Sequence, residues 1–292
     1  MNGTIRRKLR LGLRKFAGDG GLRHRFVHMA WNTYEHIVFE YHTRRNVREA
    51  DPVAPLYPRR LYWVNPKSVT HYISGKYFDM LRDTGSVVGG DWDVNSDRLV
   101  EDTGTYQTFA EHFENGVPWE EIESYQRKLK KVRSGDSKRY PTVEALERKY
   151  TLYDRLYNTF TQGEYLTQKE LANNQATTGI GDGGHAFFPS LIGSSIIRHE
   201  ITVNVGRDGT LFLDDGRHRL LIARIAGLEN VPIRIVARHE LWQEIRDMIV
   251  TDVRDDQLDG KVENGTYSVE TNHDTSTDEV SIEHPDVGAL LN

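Results

Sequence analysis

Asp215-Gly216-Arg217-His218-Arg219 places a carboxylate, a glycine, two guanidiniums and an imidazole in five consecutive positions. Leu211-Phe212-Leu213 lie before them and Leu220-Leu221-Ile222-Ala223 after, so the five fall where a strand turns into a buried helix. The first turn of a helix has unpaired N–H groups and the positive end of the macrodipole, and both attract anions. Arginine adds a planar fork that matches phosphate oxygens. Histidine adds a donor whose charge varies near neutral pH. The chemistry implied is phosphate binding by Gly216, Arg217, His218 and Arg219. The competing reading is structural: Asp215 caps the helix, Arg217 and Arg219 pair with Asp214 or with carboxylates of a helical insert, and His218 is a hydrogen-bonded core residue.

A second cluster, Gly89-Gly90-Asp91-Trp92-Asp93, follows the short strand Ser86-Val87-Val88. Paired glycines, Gly89 and Gly90, let the backbone come close to a ligand. Asp91 and Asp93 then stand on a wall of the ligand pocket as a base or metal ligand, or they are exposed residues of a strand-ending turn. A carboxylate near a bound triphosphate holds Mg²⁺ or takes a hydroxyl proton. Asp215, Asp91 and Asp93 are the candidates for that catalytic role, with Asp215 the candidate Mg²⁺ ligand. Gly179-Ile180-Gly181-Asp182-Gly183-Gly184-His185 has the GxGxxG spacing, but neither the strand before it nor the helix after it that a dinucleotide turn requires. It reads as a loop able to cover a ligand.

The elements that must position these residues are legible from periodicity. Ile201-Thr202-Val203-Asn204-Val205 alternates as a strand, Arg207-Asp208-Gly209 is a hairpin turn, and Thr210–Asp214 is the return strand. Residues 217–226 form a buried helix, Val231–Val236 another strand, and His239 to Ile249 an amphipathic helix. Earlier, Leu61–Val64 is a short strand, with a helix or turn around Val69–Leu81. From Tyr106 to Asn173 the chain is mainly helical, with an aromatic stripe of Leu146, Tyr150, Tyr153, Leu156, Tyr157 and Phe160. Residues 1–50 are helical, and Thr4–Phe16 forms a basic amphipathic helix.

The chain has 292 residues, 37% of them apolar and 28% charged, and no cysteine. That absence excludes disulfides, thiolate metal sites and cysteine nucleophiles. No apolar run approaches the ~20 residues a spanning helix needs, and no signal-peptide pattern opens the chain. The expectation is a soluble cytoplasmic protein. The net charge of −5 conceals a polarity. Up to Arg25 there are eight basic residues against Asp19 alone, whereas 251–286 holds eleven acidic and two basic residues. The expected organisation is a basic helical extension over 1–58, a domain over 59–250 with a helical insert at about 106–175, and an acidic, disordered tail over 251–292. Arg6–Lys15 and Arg127–Arg133 are either solvated helix faces or contacts to a nucleic-acid backbone, and the first also suits an anionic membrane surface.

Strand, Asp215-Gly216-Arg217-His218-Arg219-Leu220, buried helix and Val231-Pro232-Ile233-Arg234-Ile235 together resemble the ParB/sulfiredoxin superfamily. Arg238-His239 with Trp242-Gln243 looks like the variant found in standalone ParB-like proteins, and Trp63-Val64-Asn65-Pro66 and Gly89–Asp93 fit its early part. The resemblance is good over 200–248, looser over 61–175 and absent from both tails. It implies an α+β fold, a small mixed sheet with packed helices, and a nucleotide polyphosphate on the helix N-terminus. Members bind and hydrolyse CTP, phosphorylate a cysteine sulfinate with ATP, or phosphorylate free serine. Without cysteine the sulfinate chemistry is excluded. With no DNA-reading domain after the fold, chromosome partition does not follow. What the resemblance implies is a nucleoside di- or triphosphate with Mg²⁺, bound by a phosphotransferase or NTPase acting on a small molecule or protein. The alternative is a non-enzymatic, DNA-associated protein using its basic helices.

Overall fold

The computed structural model describes residues 22–73, 77–94, 98–167, 170, 200–255, 261–270 and 277–291. Helix α1 spans Leu22–Ala50, and short strands β1 (Tyr62–Val64), β2 (His71–Tyr72) and β3 (Ser86–Val88) follow. Three helices come next: α2 (Gly104–Phe113), α3 (Glu123–Arg133) and α4 (Val143–Thr161). The second half runs β4 (Ile201–Val205), β5 (Leu211–Asp215), α5 (Arg217–Ile225), β6 (Val231–His239) and α6 (Glu240–Arg254). It closes with β7 (Val262–Glu263), β8 (Thr266–Glu270), β9 (Thr277–Ser281) and α7 (Pro285–Leu291). This is an α+β architecture with a mixed sheet and packed helices.

Strand β6 is the axis of the main sheet, and all nine of its residues are buried. β4 lies parallel to it on one side. On the other side its first half pairs antiparallel with β1 and its second half parallel with β3. β5 returns antiparallel to β4, and β2 joins its outer edge in parallel. Strand alternation sends Ile201, Val203, Leu211, Leu213, Ile233 and Ile235 to one face. There they join α5 and the insert in a single core. Phe212 and Val236 face the other way, into a smaller core with Ile73, Phe78 and Trp92. α1 closes that side: Phe39 lies 5.7 Å beneath the buried Arg234 guanidinium, and the Asn46 amide donates to Arg82 O and Thr84 O.

Between 104 and 161 the chain is mainly helical, as its pattern suggests. Thr103 and Thr142 accept hydrogen bonds from the first turns of α2 and α4, the usual N-cap arrangement. Leu146, Tyr150, Tyr153, Leu156 and Phe160 form the buried stripe of α4.

Two expectations are corrected. Around Val69–Leu81 a turn is present at Met80–Leu81, but before it the chain places strand β2, two residues whose extended form is set by pairing with Phe212 and Leu213 rather than by local pattern. The acidic segment from 251 onward is not a disordered tail where it is described. α6 continues to Arg254, β7–β9 form an antiparallel sheet, and Tyr267, Val280 and Val287 join the main core. Its acids are partly spent internally: Asp252 accepts from Lys261 and the Tyr267 hydroxyl, and Asp286 is wholly buried. Thr4–Phe16 and Gly179–His185 lie outside the described residues.

Candidate functional site

Helix α5 begins directly after β5, with Gly216 as the hinge. Gly216 is left-handed, at φ 85° and ψ 18°. A Cβ at this position would stand 2.8 Å from Ile201 Cα. The start of β4 therefore presses on the turn, and glycine alone fits. Asp215 is not the N-cap: its Oδ1 accepts from the adjacent Gly216 N–H at 2.8 Å, and the N-cap position is Gly216, which has no side chain to cap α5. The first intrahelical bond runs from Leu220 N to Gly216 O at 3.1 Å. The N–H groups of Arg217, His218 and Arg219 precede it, in the turn that has no intrahelical acceptors.

The next three side chains diverge. The Arg217 guanidinium lies 5.5 Å over the Tyr72 ring of β2. Its Nε is buried without a hydrogen-bond partner among the described residues. His218 stacks on Tyr153 at 5.2 Å and sits 5.9 Å from Phe109, so it packs into the seam between α5 and the insert. Arg219 donates to Glu200 at 3.3 Å, and that carboxylate is only 1% exposed. The Tyr165 hydroxyl stands against this ion pair, and burial pushes its phenol up to about 12. Of the three, Arg217 has the donor left over.

Across the seam, α3 brings a residue that the charge run Arg127–Arg133 conceals. Lys128 is exposed along its stem, but its ammonium turns inward and donates to the Tyr150 hydroxyl at 2.7 Å. Burial, and the positive charges of Arg139, Arg127 and Arg217, hold its pKa below the usual lysine range. The signal was present in the spacing: Tyr125, Lys128, Leu129 and Val132 fall at i, i+3, i+4 and i+7, one face of a helix. Arg127, Lys130, Lys131 and Arg133 are exposed.

Gly89, Gly90, Asp91 and Asp93 do not join this site. Asp215 pairs with Thr202 at the start of β4, whereas Arg207, just beyond its end, holds Asp91 and Asp93. Five residues of strand separate the two, roughly 16 Å at the usual rise. Asp93 accepts from Arg207 N at 2.8 Å and from its Nε at 3.0 Å, and its side chain is 4% exposed. Burial alone would raise the Asp93 carboxyl; the Arg207 hydrogen bonds and nearby His239 overcome it and set the pKa below the ordinary value. His239 Nε2 lies 2.8 Å from Gly90 O, and Gly89 sits beneath the Glu240 carboxylate. The constellation is a charged clamp closed on itself. Among the described residues no three His, Asp or Glu side chains converge as a metal site, and no helix is long and apolar enough to cross a membrane.

Fold and site thus define an α+β protein in which a strand–glycine–helix turn starts α5 on a glycine N-cap and carries Arg217 in its first turn. No protein-family model, no curated protein and no solved structure matches the chain.

Proposed function

We propose that the chain binds the phosphate groups of a nucleoside di- or triphosphate at the N-terminus of α5, as the ParB/sulfiredoxin superfamily does with the box that Asp215–Arg219 resembles. The observation that carries this reading is the first turn of α5, opened by a glycine N-cap, beside the buried Arg217 Nε, which has no hydrogen-bond partner among the described residues. A buried donor with no acceptor costs about 1–3 kcal/mol, and a phosphate oxygen relieves it. Arg217 and the backbone N–H groups of the first turn are the phosphate ligands. Arg219 supports the turn through Glu200, and His218 fixes the insert against it. Asp215 is the carboxylate at the turn. One protein carboxylate together with phosphate oxygens is an ordinary Mg²⁺ arrangement, so the donor set suits a magnesium nucleotide, whose metal would offset phosphate charge. In a phosphotransferase or NTPase acting on a small molecule or protein, Asp215 would also be the group to accept a hydroxyl proton. Asp91 and Asp93 have no part in that chemistry, being held by Arg207 at the far end of β4.

The test is thermal unfolding with ATP, ADP, CTP or GTP and Mg²⁺. A ligand at 100 times its Kd adds about 2.7 kcal/mol, which corresponds to a rise of about 5 °C or more for a chain of this size. Arg217→Gln is expected to abolish the rise. A melting temperature unmoved by all four nucleotides, or a rise that Arg217→Gln leaves intact, overturns the reading.

A further inference from the structure

Lys128 stands apart from the other lysines of α3. Its Nζ donates to the Tyr150 hydroxyl at 2.7 Å and lies 5.3 Å from the ring centroid, at the hydroxyl end of the ring rather than over its face. Tyr150 is itself 2% exposed, with Trp119 and Tyr125 edge to face on it at 4.6 Å and 4.7 Å. Among the described residues no carboxylate lies within ion-pair distance of Lys128, whereas Arg127, one position earlier, has Glu123. A phenol accepts a hydrogen bond from an ammonium but does not balance its charge, and drawing an ammonium out of water disfavours the charged form. Burial first, and then the positive charges of Arg139, Arg127 and Arg217, shift Lys128 toward the neutral amine. Lys130 and Lys131, on the same helix, are exposed. The stem of Lys128 is exposed as well, which leaves the nitrogen open to a small molecule from solvent.

We propose that Lys128 is a nucleophilic amine that condenses with a small carbonyl compound, an aldehyde or ketone, at the seam between α3 and α4, with Tyr150 as its positioning residue. The assignment does not depend on phosphate binding at α5. The neutral amine is the form of lysine that attacks a carbonyl, and desolvation is one of the ways a protein obtains it. With one N–H held on Tyr150 Oη, the amine keeps its lone pair for the incoming carbon. The nitrogen bonds that carbon and gives its two protons to the carbonyl oxygen, which leaves as water. The product is an imine, and nothing is oxidised or reduced. Burial sets the Tyr150 phenol above its usual range, so its hydroxyl keeps its proton at neutral pH. That hydroxyl is placed to pass a proton to the departing oxygen while taking one from the nitrogen. An aryl aldehyde suits the site best, since its ring packs edge to face or offset on tyrosine.

The experiment incubates the full chain with limiting pyridoxal and cyanoborohydride, which reduces an imine to a stable secondary amine, and reads each lysine by peptide mass spectrometry. Pyridoxal carries no phosphate, so occupancy of the α5 turn does not enter. At pH 7 Lys128 is expected to be trapped about fivefold faster, or more, than Lys130 or Lys131, since the neutral fraction of the amine governs attack. Its trapping is also expected to persist to lower pH than theirs, a shift that solvent access alone does not produce. Tyr150→Phe keeps the ring and removes the acceptor, so Lys128 is expected to extend into water and fall to the rate of its neighbours. An unliganded melting temperature checks the fold of that variant. If it does not fold, the comparison of the three lysines of wild type across pH decides the matter by itself. Trapping at Lys128 no faster than at Lys130 and Lys131 overturns the proposal. Faster trapping with an unshifted pH profile overturns it too, because access then explains the rate. An undiminished preference in folded Tyr150→Phe overturns the part given to Tyr150.

Discussion

Gly216 is constrained twice over, and the two constraints are separable. Its φ of 85° lies in the left-handed region, and its missing Cβ makes room for Ile201 at the start of β4. A left-handed conformation alone costs a non-glycine residue about 1–3 kcal/mol. Backbone crowding adds to it, because Ile201 Cα sits in a central strand and cannot yield like the tip of a side chain. Gly216→Ala is therefore expected to lower unfolding free energy by about 2–4 kcal/mol in chemical denaturation. Gly90, also left-handed at φ 86°, has open space where its Cβ would stand. Gly90→Ala should cost only the conformational part, about 1–2 kcal/mol. Equal losses in the two variants would show that the Ile201 contact contributes nothing. A glycine in a phosphate-binding box is often explained by approach to a ligand; here the approach of β4 suffices for Gly216, and the ligand argument passes to Arg217.

At the scale of elements, the Asp93–Arg207 clamp ties the loop after β3 to the β4–β5 hairpin across 114 residues of sequence. Removing one partner leaves a charge poorly paired at a buried carboxylate site. Asp93→Asn should destabilise by about 1–3 kcal/mol and leave nucleotide or polyphosphate affinity unchanged, because the clamp and the α5 turn lie at opposite ends of β4. Loss of anion binding with an intact fold would place the two in one site after all. This separation marks what the sequence could tell. The β4 hairpin, α5, β6 and α6 were legible because each is fixed by local signals: period-two alternation, Asp208-Gly209 at the turn, and an apolar run bounded by Gly227. β2 was not, since two residues carry no period and owe their form to β5. The three-way divergence of Arg217, His218 and Arg219 was not legible either. Their partners Tyr72, Tyr153 and Glu200 come from three other segments, so residue type left the phosphate and the structural reading open for all three.

On the scale of the whole molecule, the last helix returns to the sheet and inserts one carboxylate into it. Asp286 accepts from Arg238 Nε at 2.7 Å and Nη2 at 2.6 Å, and from the Trp242 indole at 3.0 Å, with Arg246 Nε 3.2 Å away. Asp286, Arg238 and Arg246 are all at most 1% exposed. Burial, together with the Arg238 charge, brings Arg246 down to about 10, yet it stays a cation at neutral pH. Asp286 feels burial in the opposite sense, and the two arginines outweigh it, setting its carboxyl far below the usual range. The acidic composition of 251–286 hid this, because composition counts charges and the fold depends on where one of them goes. Breaking a buried pair from one side commonly costs about 3–5 kcal/mol, since the remaining cations lose their counter-charge. Asp286→Asn is expected to lose that amount at pH 7. A carboxyl whose pKa is lower folded than unfolded contributes stability that is complete above its unfolded value, about 3.9, and lost as pH falls toward the folded value. Wild type should therefore weaken steeply below about pH 4. Asp286→Asn, lacking that titration, should show a shallower acid limb, so that the gap between the two proteins narrows from pH 7 to pH 3. Urea denaturation across that range measures the gap directly. A gap that stays constant to pH 3 would mean that Asp286 does not anchor the C-terminal helix through its charge.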